Sequence, residues 1–234
     1  MDFIAGEVLP LYKPYGWTSF QIVSKVRYFL SRHHNVKRFK VGHAGTLDPL
    51  ATGVLLLCTG KATKRIEELQ SHTKEYVADL MLGATTPSFD MEHPVDATYP
   101  YEHITEELFK ETLKQFIGTI DQRPPLYSAC KVDGERAYNL ARQGSDMQLA
   151  PKQITIDEIE LLQFNPPQAT IRVVCGKGTY IRSLARDIGE ALGSGAYLTR
   201  LTRTRVGEHK IEECIHPDDF AEWLDKHITP NINP

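Results

Sequence analysis

The chain has 234 residues, enough for one large domain with a substantial core. Its 27 Lys and Arg residues against 30 Asp and Glu give a net charge of −3, which excludes a generically basic nucleic-acid binder. No apolar stretch approaches the roughly 20 residues that span a membrane, and the N-terminus lacks the features of a signal peptide. The cysteines form no CxxC pair, so buried thiols in a cytoplasmic protein are favoured over zinc ligands or disulfides; they are Cys58, Cys130, Cys175 and Cys214.

The first elements are predicted from turn and capping residues and from the spacing of apolar residues. Val8–Pro14 predicts a short strand that ends in the turn Pro14-Tyr15-Gly16. Thr18 and Gln21 have the spacing of a capping box, which predicts the start of a helix. Its buried face would consist of Ile22, Val23, Val26, Phe29 and Leu30. The basic run of residues 32–40 then predicts a loop.

Residues 42–53 form the most constrained stretch of the chain. Gly42, Gly45 and Gly53 surround the single acid Asp48, which precedes Pro49, so the pattern predicts a tight loop that fixes the backbone of the acid. The apolar run Val54–Cys58 behind it predicts a buried strand. The residues alone leave two interpretations open, which are a reactive carboxylate on a rigid support and a solvated aspartate in a turn.

The middle of the chain alternates between regular segments and loops. Residues 62–69 predict a short helix, and the spacing of Gly53, Gly60 and Lys61 does not fit a phosphate-binding P-loop. Lys74–Leu82 predicts a strand with Tyr76 on one face, followed by a polar loop from Gly83 to Tyr101. An amphipathic helix is predicted from Thr105 to Ile117, with Gly118 as its C-terminal cap.

Residues 121–153 are rich in loop residues and carry scattered cations. A long irregular connection of this kind indicates a binding loop, and a disordered linker is the alternative. Residues 135–143 could form a short helix. The cations of the segment are Lys131, Arg136, Arg142 and Lys152.

Two strands are predicted around residues 154–164 and 169–175, followed by the glycine-flexed, cationic loop 176–182. A helix then follows with the buried face Leu184, Ala185, Ile188 and Leu192, and residues 197–206 predict a basic strand. An acidic helix is predicted near residues 218–224. Three basic runs, at residues 32–40, 61–65 and 200–205, could hold a polyanion if one surface carried them all.

A series of motifs in fixed order resembles the TruB type of pseudouridine synthase. The matching stretches are Lys13-Pro14-x-Gly16-x-Thr18-Ser19, Gly42-His43-x-Gly45-x-Leu47-Asp48-Pro49-x-Ala51-Thr52-Gly53, Gly60-x-Ala62-Thr63-Lys64, Lys74-x-Tyr76, Tyr127-Ser128-Ala129 and Lys177-Gly178-Thr179-Tyr180-Ile181-Arg182. They span most of the chain. The resemblance implies an α+β fold with a mixed, mostly antiparallel central sheet flanked by helices, namely the pseudouridine synthase fold.

The resemblance also implies roles for particular residues. Asp48 would be the catalytic aspartate, Arg182 its ionic partner, and Tyr76 and Tyr180 the tyrosines that contact the target base. His43 would lie beside the flipped base, and Leu201 would line the uracil pocket. Residues 121–153 would clamp the T-stem-loop of tRNA, and the basic run before Gly42 would touch RNA.

Further expectations concern domains, partners and cofactors. Residues 1–207 would form the catalytic domain and residues 208–234 a short C-terminal helix and tail, too short for the RNA-binding PUA domain of many relatives. The implied reaction isomerises the uridine at position 55 of tRNA and needs neither a cofactor nor a metal. We expect a cytoplasmic monomer that binds tRNA, with no protein partner.

The alternatives left open are a synthase acting on another RNA and a non-catalytic protein that helps tRNA to fold. The atom of the nucleotide that Asp48 attacks is open as well. An ionised carboxylate can add to C1′, add to C6 of the uracil, or abstract the 2′ proton.

Overall fold

The computed structural model describes residues 1–128, 131–132, 135–136 and 149–227. The helices are α1 (Ser19–His33), α2 (Ile66–Ser71), α3 (Glu106–Leu113), α4 (Ile181–Ala191) and α5 (Phe220–His227). The strands are β1 (Val8–Lys13), β2 (Val41–His43), β3 (Ala51–Thr59), β4 (Lys74–Leu82), β5 (Ala84–Thr85), β6 (Ala97–Thr98), β7 (Gly118–Gln122), β8 (Lys131–Val132), β9 (Glu135–Arg136), β10 (Lys152–Asn165), β11 (Gln168–Cys175), β12 (Ala196–Val206) and β13 (His209–Lys210). This mixture of many strands and few helices confirms the predicted α+β class.

The chain divides into two units, of which the first comprises Met1–Lys74 and the chain from Thr202 onward. Here β3 lies between β1 and the second half of β12, and it runs antiparallel to both β1 and β2. Both faces of β3 are covered, because Leu55 and Leu57 belong to one core cluster and Val54 and Leu56 to another. The continuous apolar run therefore corresponds to a central strand, as predicted.

Helix α1 shows why this part of the sequence folds as it does. The Thr18 hydroxyl accepts a hydrogen bond from the Gln21 amide, and the Gln21 side chain accepts one from the Thr18 amide, which completes the predicted capping box. The buried residues Ile22, Val23, Val26 and Leu30 recur at helical spacing and join the core cluster that also contains Phe220 of α5.

The second unit comprises Glu75–Leu201. In it the first half of β12, β4, β11, β10 and β7 follow one another across the sheet, and β10 runs antiparallel to both β11 and β7. Burial alternates along β4, so that Tyr76, Ala78 and Leu80 lie on its buried face, as predicted.

Three local predictions need correction. Helix α3 ends at Leu113, and a single 3-10 turn, Lys114–Phe116, follows it, so the predicted helix to Ile117 is too long. Strand β7 was not expected. The predicted short helix at residues 135–143 lies mostly outside the described residues, and its described part, Glu135–Arg136, is a strand paired with Lys131–Val132.

Candidate active site

Asp48 lies on the loop of residues 44–50, which joins β2 to β3 in the first unit. The Ala51 amide donates a hydrogen bond to the Asp48 carbonyl oxygen at 3.0 Å, which closes a turn immediately before β3. Gly45 has a φ of +102°, a conformation that glycine adopts without strain. The predicted tight loop on a rigid strand is therefore confirmed.

The residue before Asp48 is fixed by the first residue of α1. The Ser19 hydroxyl accepts a hydrogen bond from the Leu47 amide at 2.9 Å and donates one to the Leu47 carbonyl oxygen at 3.1 Å. Both residues are buried. One side chain thus satisfies both main-chain groups of Leu47 and sets the position from which Asp48 projects.

The residue after Asp48 is fixed by Lys13, whose side chain is fully buried. Its ammonium group donates hydrogen bonds to the carbonyl oxygens of Trp17 at 2.7 Å, Pro14 at 2.9 Å and Pro49 at 3.2 Å. The Gly16 amide donates a second bond to the Pro49 oxygen at 2.8 Å. The motif at residues 13–19, for which the sequence indicated no role, therefore holds the Asp48 loop in place through hydrogen bonds to Pro49.

Burial disfavours the charged form of Lys13, and neighbouring charges alter the size of this effect. Burial lowers the pKa of the Lys13 ammonium to about 8, while the Asp48 carboxylate raises it and the Arg203 guanidinium lowers it. The carboxylate is therefore close enough to interact favourably with this buried cation.

Arg203 belongs to the basic run of residues 200–205, but it does not contribute to a cationic surface. Its side chain is buried, and its guanidinium donates hydrogen bonds to the Val54 oxygen at 2.7 Å and the Gly45 oxygen at 3.2 Å. It therefore ties the Asp48 loop to β3. Burial along β12 does not follow a regular alternation, because Ala196, Leu198, Arg203 and Val206 are buried while Arg200 is exposed, so the spacing in the sequence did not mark Arg203 as buried.

His43 stands at the end of β2, on the same hairpin as Asp48. Burial lowers the pKa of its imidazole, the nearby Gly45 backbone raises it, and the Arg203 charge lowers it further. Because the net shift is downward from the usual value of about 6.5, the ring is mainly neutral at pH 7. Its Nδ1 atom is buried without a hydrogen-bond partner among the described residues.

Arg182 lies in the first turn of α4 in the second unit, and its side chain is buried, with only 5% exposed. Its guanidinium donates hydrogen bonds to the Tyr127 oxygen at 2.8 Å and the Ser88 oxygen at 3.2 Å. Its Nε atom lies 3.6 Å from the Asp90 carboxylate. The predicted pairing of Arg182 with Asp48 stays a prediction.

Asp90 is a candidate residue that the sequence did not indicate. It is buried in the segment that was predicted to be a polar loop, and its carboxylate accepts a hydrogen bond from the Glu92 amide at 3.0 Å. The Thr86 hydroxyl donates to the Asp90 carbonyl oxygen at 2.7 Å. Because no periodicity marks a loop residue as buried, nothing in the local sequence distinguishes Asp90 from a solvated acid.

Tyr180 immediately precedes α4 and is partly buried, as is Leu201, the last residue of the second unit. The Gln122 side chain makes hydrogen bonds with both main-chain groups of Tyr180, donating to its oxygen at 3.1 Å and accepting from its amide at 2.8 Å. Tyr76 is 8% exposed on β4. The structure thus places Asp48 and His43 in the first unit, and Tyr76, Tyr180, Arg182 and Leu201 in the second.

The described residues contain no group of three or more His, Cys, Asp or Glu side chains that could hold a metal ion. None of the helices in these ranges is long and apolar enough to cross a membrane. Cys58 and Cys175 are buried and form no disulfide in the described part of the chain, and burial raises the pKa of Cys58 to about 11.

Comparison with solved structures shows the class of fold. A chain in the crystal structure of a Cbf5-Nop10-Gar1 complex matches with a TM-score of 0.70 and 32% identity, covering 97% of this chain and 58% of that chain. A chain in the structure of an H/ACA RNP bound to a substrate RNA containing 2′-deoxyuridine matches with a TM-score of 0.68 and 30% identity, covering 97% and 57%. The mixed sheet with flanking helices is the pseudouridine synthase fold.

Comparison of sequences defines the family. The model of the TruB family pseudouridylate synthase N-terminal domain matches residues 32–181, and that of the tRNA pseudouridylate synthase B C-terminal domain matches residues 182–231. A tRNA pseudouridine synthase B of Bacteroides fragilis is 66% identical over 226 residues, which is 97% of each chain. One of Flavobacterium johnsoniae is 50% identical over 224 residues, covering 95% of this chain and 98% of its own. The chain belongs to the TruB family of pseudouridylate synthases.

Proposed function

We propose that this protein isomerises the uridine at position 55 in the T loop of tRNA to pseudouridine. The observation that carries the proposal is the Asp48 loop, whose backbone is fixed on both sides by Ser19 and Lys13 in a chain 66% identical to a tRNA pseudouridine synthase B. An acid held in this way is preorganised for chemistry on a bound nucleotide.

The reaction breaks the N1–C1′ bond, turns the uracil and joins C5 to C1′. The C5 proton is lost and N1 gains a proton, so there is no net redox change. Asp48 is the acid that acts on the nucleotide, by adding to C1′, by adding to C6 or by abstracting the 2′ proton. Arg182 supplies the positive charge that keeps the carboxylate ionised while water is excluded.

The target base has to leave the RNA stack, at a cost of a few kcal/mol. Stacking on an aromatic side chain returns about 1–3 kcal/mol per base, and Tyr76 and Tyr180 are the side chains proposed for this role. The neutral ring of His43 takes up the space that the base vacates, and Leu201 lines the uracil pocket. The T-stem-loop is recognised mainly by its shape and its phosphates.

The proposal extends to the partners and the division of the chain. Residues 1–207 form the catalytic part, with residues 208–234 as an appended helix and tail. The clamp on the T-stem-loop is assigned to residues 121–153, of which 129–130, 133–134 and 137–148 lie outside the described residues. The protein acts in the cytoplasm as a monomer with tRNA as its partner.

Release of tritium from a tRNA transcript labelled at C5 of its uridines tests the proposal, because formation of the C5–C1′ bond expels that hydrogen whereas binding alone does not. We expect release to stop at one equivalent per tRNA, and to be absent when cytidine replaces uridine at position 55. Binding without release would indicate a tRNA-folding protein. Release that persists from the cytidine transcript would indicate another target uridine.

A further inference from the structure

Gln122, the last residue of β7, is a buried amide in the second unit that no motif marked. It is 1% exposed, and its neighbour across the sheet is Lys152 of β10. Its Nε2 atom donates to the Tyr180 carbonyl oxygen at 3.1 Å, and its Oε1 atom accepts from the Tyr180 amide at 2.8 Å. One side chain therefore makes two opposite hydrogen bonds to the backbone of a single residue.

This arrangement fixes the backbone at the start of α4. Tyr180 is the N-cap residue of the helix, with φ −103° and ψ 109°, and its own side chain makes no capping bond. Its carbonyl oxygen also accepts a hydrogen bond from the Leu184 amide at 3.0 Å. Next to Gln122, the Arg123 oxygen accepts a bond from the Ser183 hydroxyl at 2.8 Å. The end of β7 is thus joined to the first turn of the helix that carries Arg182.

We propose that Gln122 is a positioning residue for the pseudouridine synthase reaction, which sets the direction in which Tyr180 meets the target base. The inference rests on the proposed function. The role requires a donor and an acceptor on one side chain at the spacing of the Tyr180 amide and carbonyl, and the planar amide of Gln122 supplies both. An ionised glutamate of the same shape can only accept, so its second oxygen would face the Tyr180 oxygen without a proton between them.

Three variants of the full-length protein test this role with a T-stem-loop RNA. Gln122→Met keeps the length of the side chain and removes both bonds. Gln122→Glu keeps one bond, and regains the second only when the carboxyl is protonated. Gln153→Glu is the matched control, because Gln153 is exposed on β10 opposite Asp121. Single-turnover rate, RNA dissociation constant and circular dichroism are measured for each from pH 5 to pH 9.

We expect Gln122→Met to lower the single-turnover rate about tenfold to a hundredfold, while the dissociation constant changes by less than about threefold. The rate of Gln122→Glu relative to wild type should be low at pH 9 and rise as the pH falls. Burial raises the pKa of the introduced carboxyl, and the cations Lys152, Arg123, Arg182 and Arg186 lower it, with Asp121 and Asp187 opposing them. Gln153→Glu should show no such rise.

Unchanged rates in folded Gln122 variants would overturn the inference. So would a loss of rate that follows only the loss of folded protein, or one that appears entirely in RNA affinity, because either result would make Gln122 a purely structural residue. If Gln122→Met does not fold, the pH dependence of Gln122→Glu decides alone. A wild-type protein that releases no tritium would instead refute the proposed function itself, whereas an active wild type with indifferent variants refutes only the role of Gln122.

Discussion

The Asp48 loop and the start of α4 use different chemistry to hold their candidate residues. In the first unit, the buried cations Lys13 and Arg203 donate hydrogen bonds to main-chain oxygens of the loop and its flanks. In the second, a neutral amide holds Tyr180 through its backbone, whereas Arg182 is itself bound through its side chain.

The difference predicts which substitutions each site tolerates. A loop held through its main chain should keep its shape when the side chain of Asp48 changes, because the bonds to Leu47 and Pro49 do not involve the carboxylate. The position of Arg182, in contrast, depends on its own side chain. Its guanidinium makes the contacts that place it, so a change of side chain alters both its position and its charge.

The largest expected effect is therefore that of Asp48→Asn, which removes the charge and nearly preserves the shape. Turnover should fall about a hundredfold to ten-thousandfold, while RNA affinity and thermal stability stay close to those of wild type. Tritium release and equilibrium RNA binding are the measurements. Asp225→Asn is the control, since Asp225 is an exposed acid on α5 of the same unit. Turnover near that of wild type would remove Asp48 from the chemistry.

Arg182→Lys should have the next largest effect. A lysine carries one ammonium and cannot reach the oxygens of Ser88 and Tyr127 and the Asp90 carboxylate in the geometry of the guanidinium. The single-turnover rate should fall about tenfold to a hundredfold, more than RNA binding does. Arg186→Lys, on the same helix one turn later, is the matched control. Equal single-turnover rates for the two variants would contradict the assigned role of Arg182.

The sequence predicted most of the fold because regular elements leave periodic signals. The capping box at Thr18, the alternation around Tyr76 and the apolar run after Gly53 each correspond to an observed element. Asp48 could be found because glycines and a proline restrict its backbone, and because the accompanying motifs resemble one family.

Asp90 and Gln122 could not be found in this way. Their importance depends on burial and on partners distant in the chain, and a single acid or amide in an irregular segment carries no sign of either. The same holds for Arg203, because burial along β12 does not alternate and this buried arginine lies between the exposed Arg200 and the half-buried Arg205.

A comparison of two glycine-to-alanine substitutions, one in each unit, tests how tightly the backbone is packed around Gly53 in β3. Gly53 has a φ of +108°, and a Cβ there would overlap the backbone of Arg203. Gly118, in the second unit, has a φ of +100° and open space around its Cα. Backbone strain should cost Gly118→Ala about 1–2 kcal/mol, and Gly53→Ala should lose about 1–3 kcal/mol more through overpacking. Urea denaturation measures both, and equal losses would mean that the contact with β12 adjusts freely.

The smallest expected effect is the pH dependence of stability that Lys13 confers. Because burial lowers the pKa of Lys13 to about 8 in the folded protein, the unfolded chain binds more protons between that pH and the ordinary lysine pKa of about 10.4. The unfolding free energy of wild type relative to Lys13→Met should therefore rise with pH in this window. The effect is smallest when it is counted for each half-unit step of pH, where it is at most about 0.7 kcal/mol.

Lys110 on α3 supplies the opposite case for the same measurement. It is exposed, and its hydrogen bond to Glu106 raises its pKa, so the folded protein retains this proton to higher pH than the unfolded chain does. The difference between wild type and Lys110→Met should fall, not rise, as the pH passes the lysine pKa. Urea denaturation at half-unit steps from pH 7 to pH 11.5 compares the two slopes. If the difference in unfolding free energy between wild type and Lys13→Met stays flat or falls with pH, the three carbonyl oxygens stabilise the ammonium as well as water does. The buried cation that holds the Asp48 loop would then carry no desolvation cost.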